Sequence, residues 1–111
     1  MAIQIADYAN INHDEMAEKI GIRTKHIPAL ISTFLKESIS ILEKLQIAID
    51  AKDYKEISSQ AHSIKGSAGN LRFNEVYEMS SEVELSARDA NEEFEYQVFL
   101  DAIKKAVSTI S

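Results

Sequence analysis

Apolar residues recur along this chain at steps of three and four, the period of an amphipathic helix, in five separate stretches. In the longest stretch, Ile27, Leu30, Ile31, Phe34, Leu35, Ile41, Leu42, Leu45, Ala48 and Ile49 form a single broad stripe. Thr24 is placed to cap this helix, and Pro28 falls in its first turn, where a missing N–H costs little. Carried to about Ala51, the helix would be roughly 40 Å long at 1.5 Å per residue. A shorter helix precedes it, with Asn12 as cap, Glu15 at the third helical position and Gly21 as stop. Asp53 with Glu56 opens a third helix, which runs to about Leu71, and Asn74 can cap a fourth with the stripe Val76, Met79, Val83, Ala87 and Ala90. Tyr77 and Leu85 lie off that stripe and find no place in it. The last run, Glu92 to Ile110, puts Tyr96, Phe99, Leu100, Ile103, Ala106, Val107 and Ile110 on one face, with Glu92, Glu93 and Glu95 as a solvated start favoured by the helix dipole.

Four such helices with short connections predict an all-α antiparallel up-down four-helix bundle over about residues 24–110, with the short first helix covering one end or side. Residues 1–11 read as an arm, and residues 1–111 as a single domain. Three glycines and one proline leave little punctuation for β-structure. The methionines read as core filler. There is no cysteine, no long apolar run, and no basic flank at the N-terminus, where Asp7 stands instead. These features predict a cytoplasmic protein with no membrane segment. Eighteen acidic residues against twelve basic ones give a net charge of −6, which argues against nucleic acid as the main partner. No phosphate-binding glycine loop, nucleophile elbow or metal-ligand pair is present, so neither a nucleotide-using enzyme nor a metal site is expected.

Candidate chemistry concentrates in Gln60–Leu71. At 100° per residue, Ile57, Ala61, Ile64, Ala68 and Leu71 share one side, while His62, Lys65, Gly66 and Gly69 gather on the other. Each glycine costs about 0.8–1.0 kcal/mol relative to alanine in a helix interior. Without a Cβ at Gly66 or Gly69, another body can reach the imidazole of His62. Tight helix–helix contact is the competing explanation for the glycines, but it calls for an apolar surround, which His62 and Lys65 contradict. Lys55 falls on the same face, Arg72 at its edge, and none of the eighteen acids is expected there. His13 and His26 have no comparable company and read as incidental.

The run His62-x-x-Lys65-Gly66, with small residues at Ser67, Ala68 and Gly69 and an aliphatic at Leu71, resembles the phosphoacceptor helix of histidine-containing phosphotransfer (HPt) domains. The resemblance implies a phosphocarrier, not an enzyme. His62 would accept a phosphoryl group from a receiver-domain aspartate and pass it on, and Lys65 would steady its charge. It further implies a response-regulator receiver domain or hybrid histidine kinase as partner. Lys55, Gly66, Gly69 and Arg72 would then lie on the docking face, and Glu84 would orient the imidazole through its second nitrogen. Mg²⁺ would belong to the partner receiver, with no cofactor in this chain, which is expected to be a monomer. A helical adaptor of the same fold that binds signalling partners without being phosphorylated is the alternative, and the intact His62-Lys65-Gly66 set favours the phosphocarrier. One departure stands out: Arg72 replaces a glycine common in the family, so either the helix continues a turn or Asn74 takes the strain.

Overall fold

A computed structural model describes residues 3–111. Among them there are helices and turns but no strand. The helices are α1 (His13–Ile20), α2 (Ile27–Asp50), α3 (Tyr54–Asn70), α4 (Asn74–Arg88) and α5 (Tyr96–Ser108). Packing runs α2 to α3, α3 to α4, α4 to α5 and α5 back to α2, which closes a four-helix bundle, with α1 laid against α2. Among the described residues no helix is long and apolar enough to cross a membrane.

The stripes read from the sequence supply the core. Ile27, Leu45, Ile57, Ile64, Val76, Met79, Val83, Leu100 and Ile103 are buried almost completely. In the middle of α2 the period is carried by a polar residue: Ser38 is buried and its hydroxyl donates to the Leu35 carbonyl at 3.0 Å. Leu30, expected in the stripe, is 38% exposed.

Asn12 and Asp53 cap as their side chains dictate, accepting from the Glu15 and Glu56 amides at 3.0 and 3.1 Å. Two other expected caps do not form. Thr24 opens a 3₁₀ turn, Thr24–His26, and α2 starts after it at Ile27, with no side-chain cap. Asn74 is itself the first residue of α4, and Phe73 precedes it in the cap position without a side-chain bond. The run Glu92–Glu95 is not helical. Instead Asn91 accepts from the Glu93 amide at 3.0 Å and its carbonyl accepts from the Tyr96 hydroxyl at 2.7 Å, closing a loop from which α5 departs.

The C-terminal ends of α2, α3 and α4 share one device. Lys52, Arg72 and Ala90 adopt left-handed backbone, with φ of 52°, 64° and 52°. In each case the amide of the following residue (Asp53, Phe73, Asn91) donates back to Ala48, Ala68 or Ser86, the signature of a Schellman turn. Arg72 therefore bears the left-handed conformation itself. Helix α3 neither continues nor passes the strain to Asn74, because the Phe73 ring must be buried one residue later (2% exposed), and this fixes where the turn falls.

Residues 3–11 run along α4 and meet the end of the chain. Tyr8 donates its hydroxyl to Glu75 at 2.8 Å, and its amide donates to Thr109 Oγ1 at 2.9 Å. Burial and the Glu75 carboxylate push the Tyr8 phenol well above its ordinary range. Its ring packs on Phe73 (4.6 Å between centroids), which packs on Phe34 (5.1 Å), so the arm, the α3–α4 turn and α2 are joined.

Left-handed backbone costs a residue with a Cβ about 1–2 kcal/mol, whereas glycine gives up about 0.5–1 kcal/mol of chain entropy on folding. Ala90→Gly is thus expected to raise the melting temperature by a few degrees, measured by circular dichroism. A lower melting temperature would show that the turn after α4 carries no such strain.

Candidate functional site

Asp53 starts α3 in a register that buries Ile57, Ala61, Ile64 and Ala68, and the opposite face is left to polar residues. On that face the His62 side chain is 68% exposed, while Lys65, one turn on, is 22% exposed. The tight turn at Leu71–Phe73 folds α4 back along α3. Small residues on both helices, among them Ala61, Ala68, Ser80 and Ala87, allow close packing. Glu84 thereby comes beside His62.

Glu84 is 2% exposed. Its carboxylate gathers three partners: Oε2 lies 2.9 Å from His62 Nδ1 and 2.8 Å from Arg88 Nη2, and Oε1 lies 2.6 Å from Lys65 Nζ. Burial alone would raise the pKa of this carboxyl group, but the hydrogen bonds from Lys65 and His62 and their charges outweigh it, and the net direction is down. The group is therefore an anion at neutral pH, able only to accept. Nδ1 of a neutral His62 must then donate, so Nε2 carries the lone pair and faces outward. This follows from the charge of Glu84.

The structure brings His62, Lys65 and Glu84 together and adds Arg88, which the sequence reading passes over. The signal for it was present: Glu84 and Arg88 stand four apart on one helix face. Arg72 and Lys55 are both exposed, Lys55 two turns ahead of His62 on α3. The Arg72 guanidinium turns back toward the Gly69 carbonyl at 3.4 Å. The expectation of a face free of acids fails: Glu84 of α4, which the family resemblance sets beside the imidazole, reaches it.

The two glycines have different surroundings. A Cβ at Gly66 would meet nothing within 4 Å, so that position is open. At Gly69 a Cβ would stand 3.0 Å from Tyr77 Cδ2 and 3.3 Å from Cε2. Gly69 thus serves an intramolecular contact with α4, the explanation that the sequence disfavours. Tyr77, unplaced by the sequence, is the residue that lies over it.

The model of the Hpt domain family matches residues 29–111. The chain belongs to the Hpt domain family. No curated protein and no solved structure matches it. As an Hpt domain it is a phosphotransfer module of two-component systems, of the kind that interacts with receiver domains of response regulators or kinases. The match begins in α2 and takes in α3, α4 and α5, and so includes all four residues of the Glu84 cluster.

Because the folded-state pKa of Glu84 is depressed, its ionised form contributes stability that is fully present above the ordinary value of 4.5 and is lost as pH falls through the folded value. Denaturant titrations of the native Hpt domain and Glu84→Gln are expected to show a stability gap at pH 7 that closes as the pH is lowered from 4.5 through the depressed folded-state value. A gap that is independent of pH would mean the carboxylate charge does not stabilise the fold.

Proposed function

We propose that His62 is the phosphoacceptor of this Hpt domain, taking a phosphoryl group from an aspartyl phosphate on a receiver domain and passing it on in a phosphorelay. The observation that carries this reading is the 2.9 Å contact between His62 Nδ1 and the buried Glu84 carboxylate. It holds the ring by one nitrogen and leaves the other bare on an exposed helix face.

The transfer proceeds without a free proton. Nε2 attacks phosphorus in line, the N–P bond forms as the P–O bond to the aspartate breaks, and the carboxylate leaves with the electron pair. The proton stays on Nδ1, still donated in a hydrogen bond to the Glu84 carboxylate, so the phosphorylated ring is cationic. In the reverse or onward step the imidazole leaves as a neutral molecule, which is a far better leaving group than its anion. Lys65 and Arg88, set against one carboxylate, leave the face with net positive charge toward the incoming phosphoryl oxygens.

An exposed helix face supplies little of the positioning that phosphoryl transfer demands, so the acidic pocket and its Mg²⁺ belong in this reading to the receiver, and this chain acts as carrier rather than catalyst. Lys55, Lys65 and Arg72 in a chain of net charge −6 suit an acidic docking surface. A cysteine-free monomer working in the cytoplasm fits the same role.

The test is transfer from receiver domains phosphorylated with radiolabelled acetyl phosphate. Acid-labile label is expected on the native chain, on His13→Gln and on His26→Gln, and none on His62→Gln. Label persisting on His62→Gln would overturn the assignment. Failure of the native chain to accept label from any receiver of its own organism would favour an adaptor that binds without being phosphorylated.

The open space at Gly66 yields a second expectation, in which fold and function part company. Gly66→Ala should raise stability by about 0.5–1 kcal/mol, since alanine is the better helix former and meets nothing. Transfer should nonetheless fall, because the new methyl stands one turn from His62 on the face the partner approaches. Thermal melts and single-turnover assays on the same variant decide. A lower melting temperature, or undiminished transfer, would remove the partner from the explanation of this glycine.

A further inference from the structure

Tyr77 is 43% exposed, and its ring lies against α3 at Gly69, where an added Cβ would crowd it. A Cβ on residue 69 would stand 3.0 Å from Cδ2, a contact tight enough that the ring would have to give by a few tenths of an ångström, so Gly69 acts as the seat for this ring. Seat and ring border one open concavity together with Lys65, Gly66 and Arg72. The concavity has an unobstructed floor at Gly66, an aromatic wall at Tyr77 and cations on its margin. Tyr77 stands two turns before Glu84 on the same face of α4, about 10 Å along the helix axis, too far to touch a phosphoryl group on His62.

We propose that Tyr77 is an aromatic docking contact for the receiver domain, setting how tightly, and therefore which, receiver is engaged while taking no part in the chemistry. The proposal rests on the His62 reading above. An exposed aromatic already held on backbone has little freedom left to lose when a partner covers it, and it contributes a large apolar area. Tyrosine is among the residues on which interface energy concentrates, typically inside a polar rim. Here the rim is Lys65 and Arg72, which in a chain of net charge −6 select an acidic neighbour, as the surround of a receiver's phosphorylated aspartate must be.

The experiment uses the full chain and a receiver domain chosen because, once phosphorylated, it labels native His62. Single-turnover transfer is followed across receiver concentrations. Tyr77→Ala is expected to raise the half-saturating concentration about tenfold or more, the cost of truncating an interface anchor, with the rate at saturation unchanged. Tyr77→Phe should behave as the native chain. Gly69→Ala crowds the ring and shifts it by a few tenths of an ångström, so it should weaken docking in the native background but add nothing in the Tyr77→Ala background, a non-additivity that a direct role of Gly69 in docking would not produce. An unchanged half-saturating concentration for Tyr77→Ala, or equal costs of Gly69→Ala in both backgrounds, would overturn the proposal and leave the His62 reading intact. If no receiver labels the native chain, it is that underlying reading that fails.

Discussion

The Glu84 carboxylate is the interaction on which the site depends. Moving a carboxylate out of water costs several kcal/mol even after the surroundings relax, so an anion 2% exposed persists only where its lone pairs are taken up. Lys65 and His62 from α3 and Arg88 from its own helix do this at 2.6–2.9 Å. The bonds from α3 fasten that helix to α4 at the level of the histidine, and they fix the ring by Nδ1. The same carboxylate directs the Lys65 ammonium in the free protein, so the charge that greets a phosphoryl group is that of the cluster rather than of one lysine.

Everything that brings Glu84 to His62 is set by the turn between the helices. Phe73 anchors that turn in the core between Tyr8 and Phe34, and Arg72 adopts left-handed backbone so that the chain can reverse there. With α4 returning close along α3, Glu84 reaches the imidazole and Tyr77 reaches Gly69. Gly66, one turn from the histidine, stays uncovered. Two glycines on one helix face thus serve different ends, one an intramolecular seat and the other an open approach.

The bundle itself was legible in the chain because burial repeats every helical turn, and nearly every apolar stripe residue in α3, α4 and α5 is buried. Asn12 and Asp53 were legible as caps because a cap is a local interaction. Asn74 and Thr24 carry the same chemistry but lose their places to tertiary demands, the burial of Phe73 in one case and a 3₁₀ lead-in to α2 in the other. His62, Lys65 and Gly66 could be found on a single helical wheel. Arg88 and the seating of Tyr77 on Gly69 could not, and Glu84 was reached only through the family resemblance, since a wheel contains one helix and each of these facts belongs to two. Glu92 and Glu93 read as a helix start on charge alone, yet the Tyr96 hydroxyl bond to Asn91 holds that segment as a loop.

The central claim is that a buried anion decides which imidazole nitrogen is free to react. Long-range proton–nitrogen correlation spectra of the unphosphorylated domain, recorded at a pH where the ring is neutral, report it directly. The account requires His62 to be the Nδ1–H tautomer with an unprotonated Nε2, and Glu84→Ala to release this preference. A neutral His62 found predominantly as the Nε2–H tautomer in the native chain would contradict it, because the nitrogen facing the partner would then have no lone pair to offer.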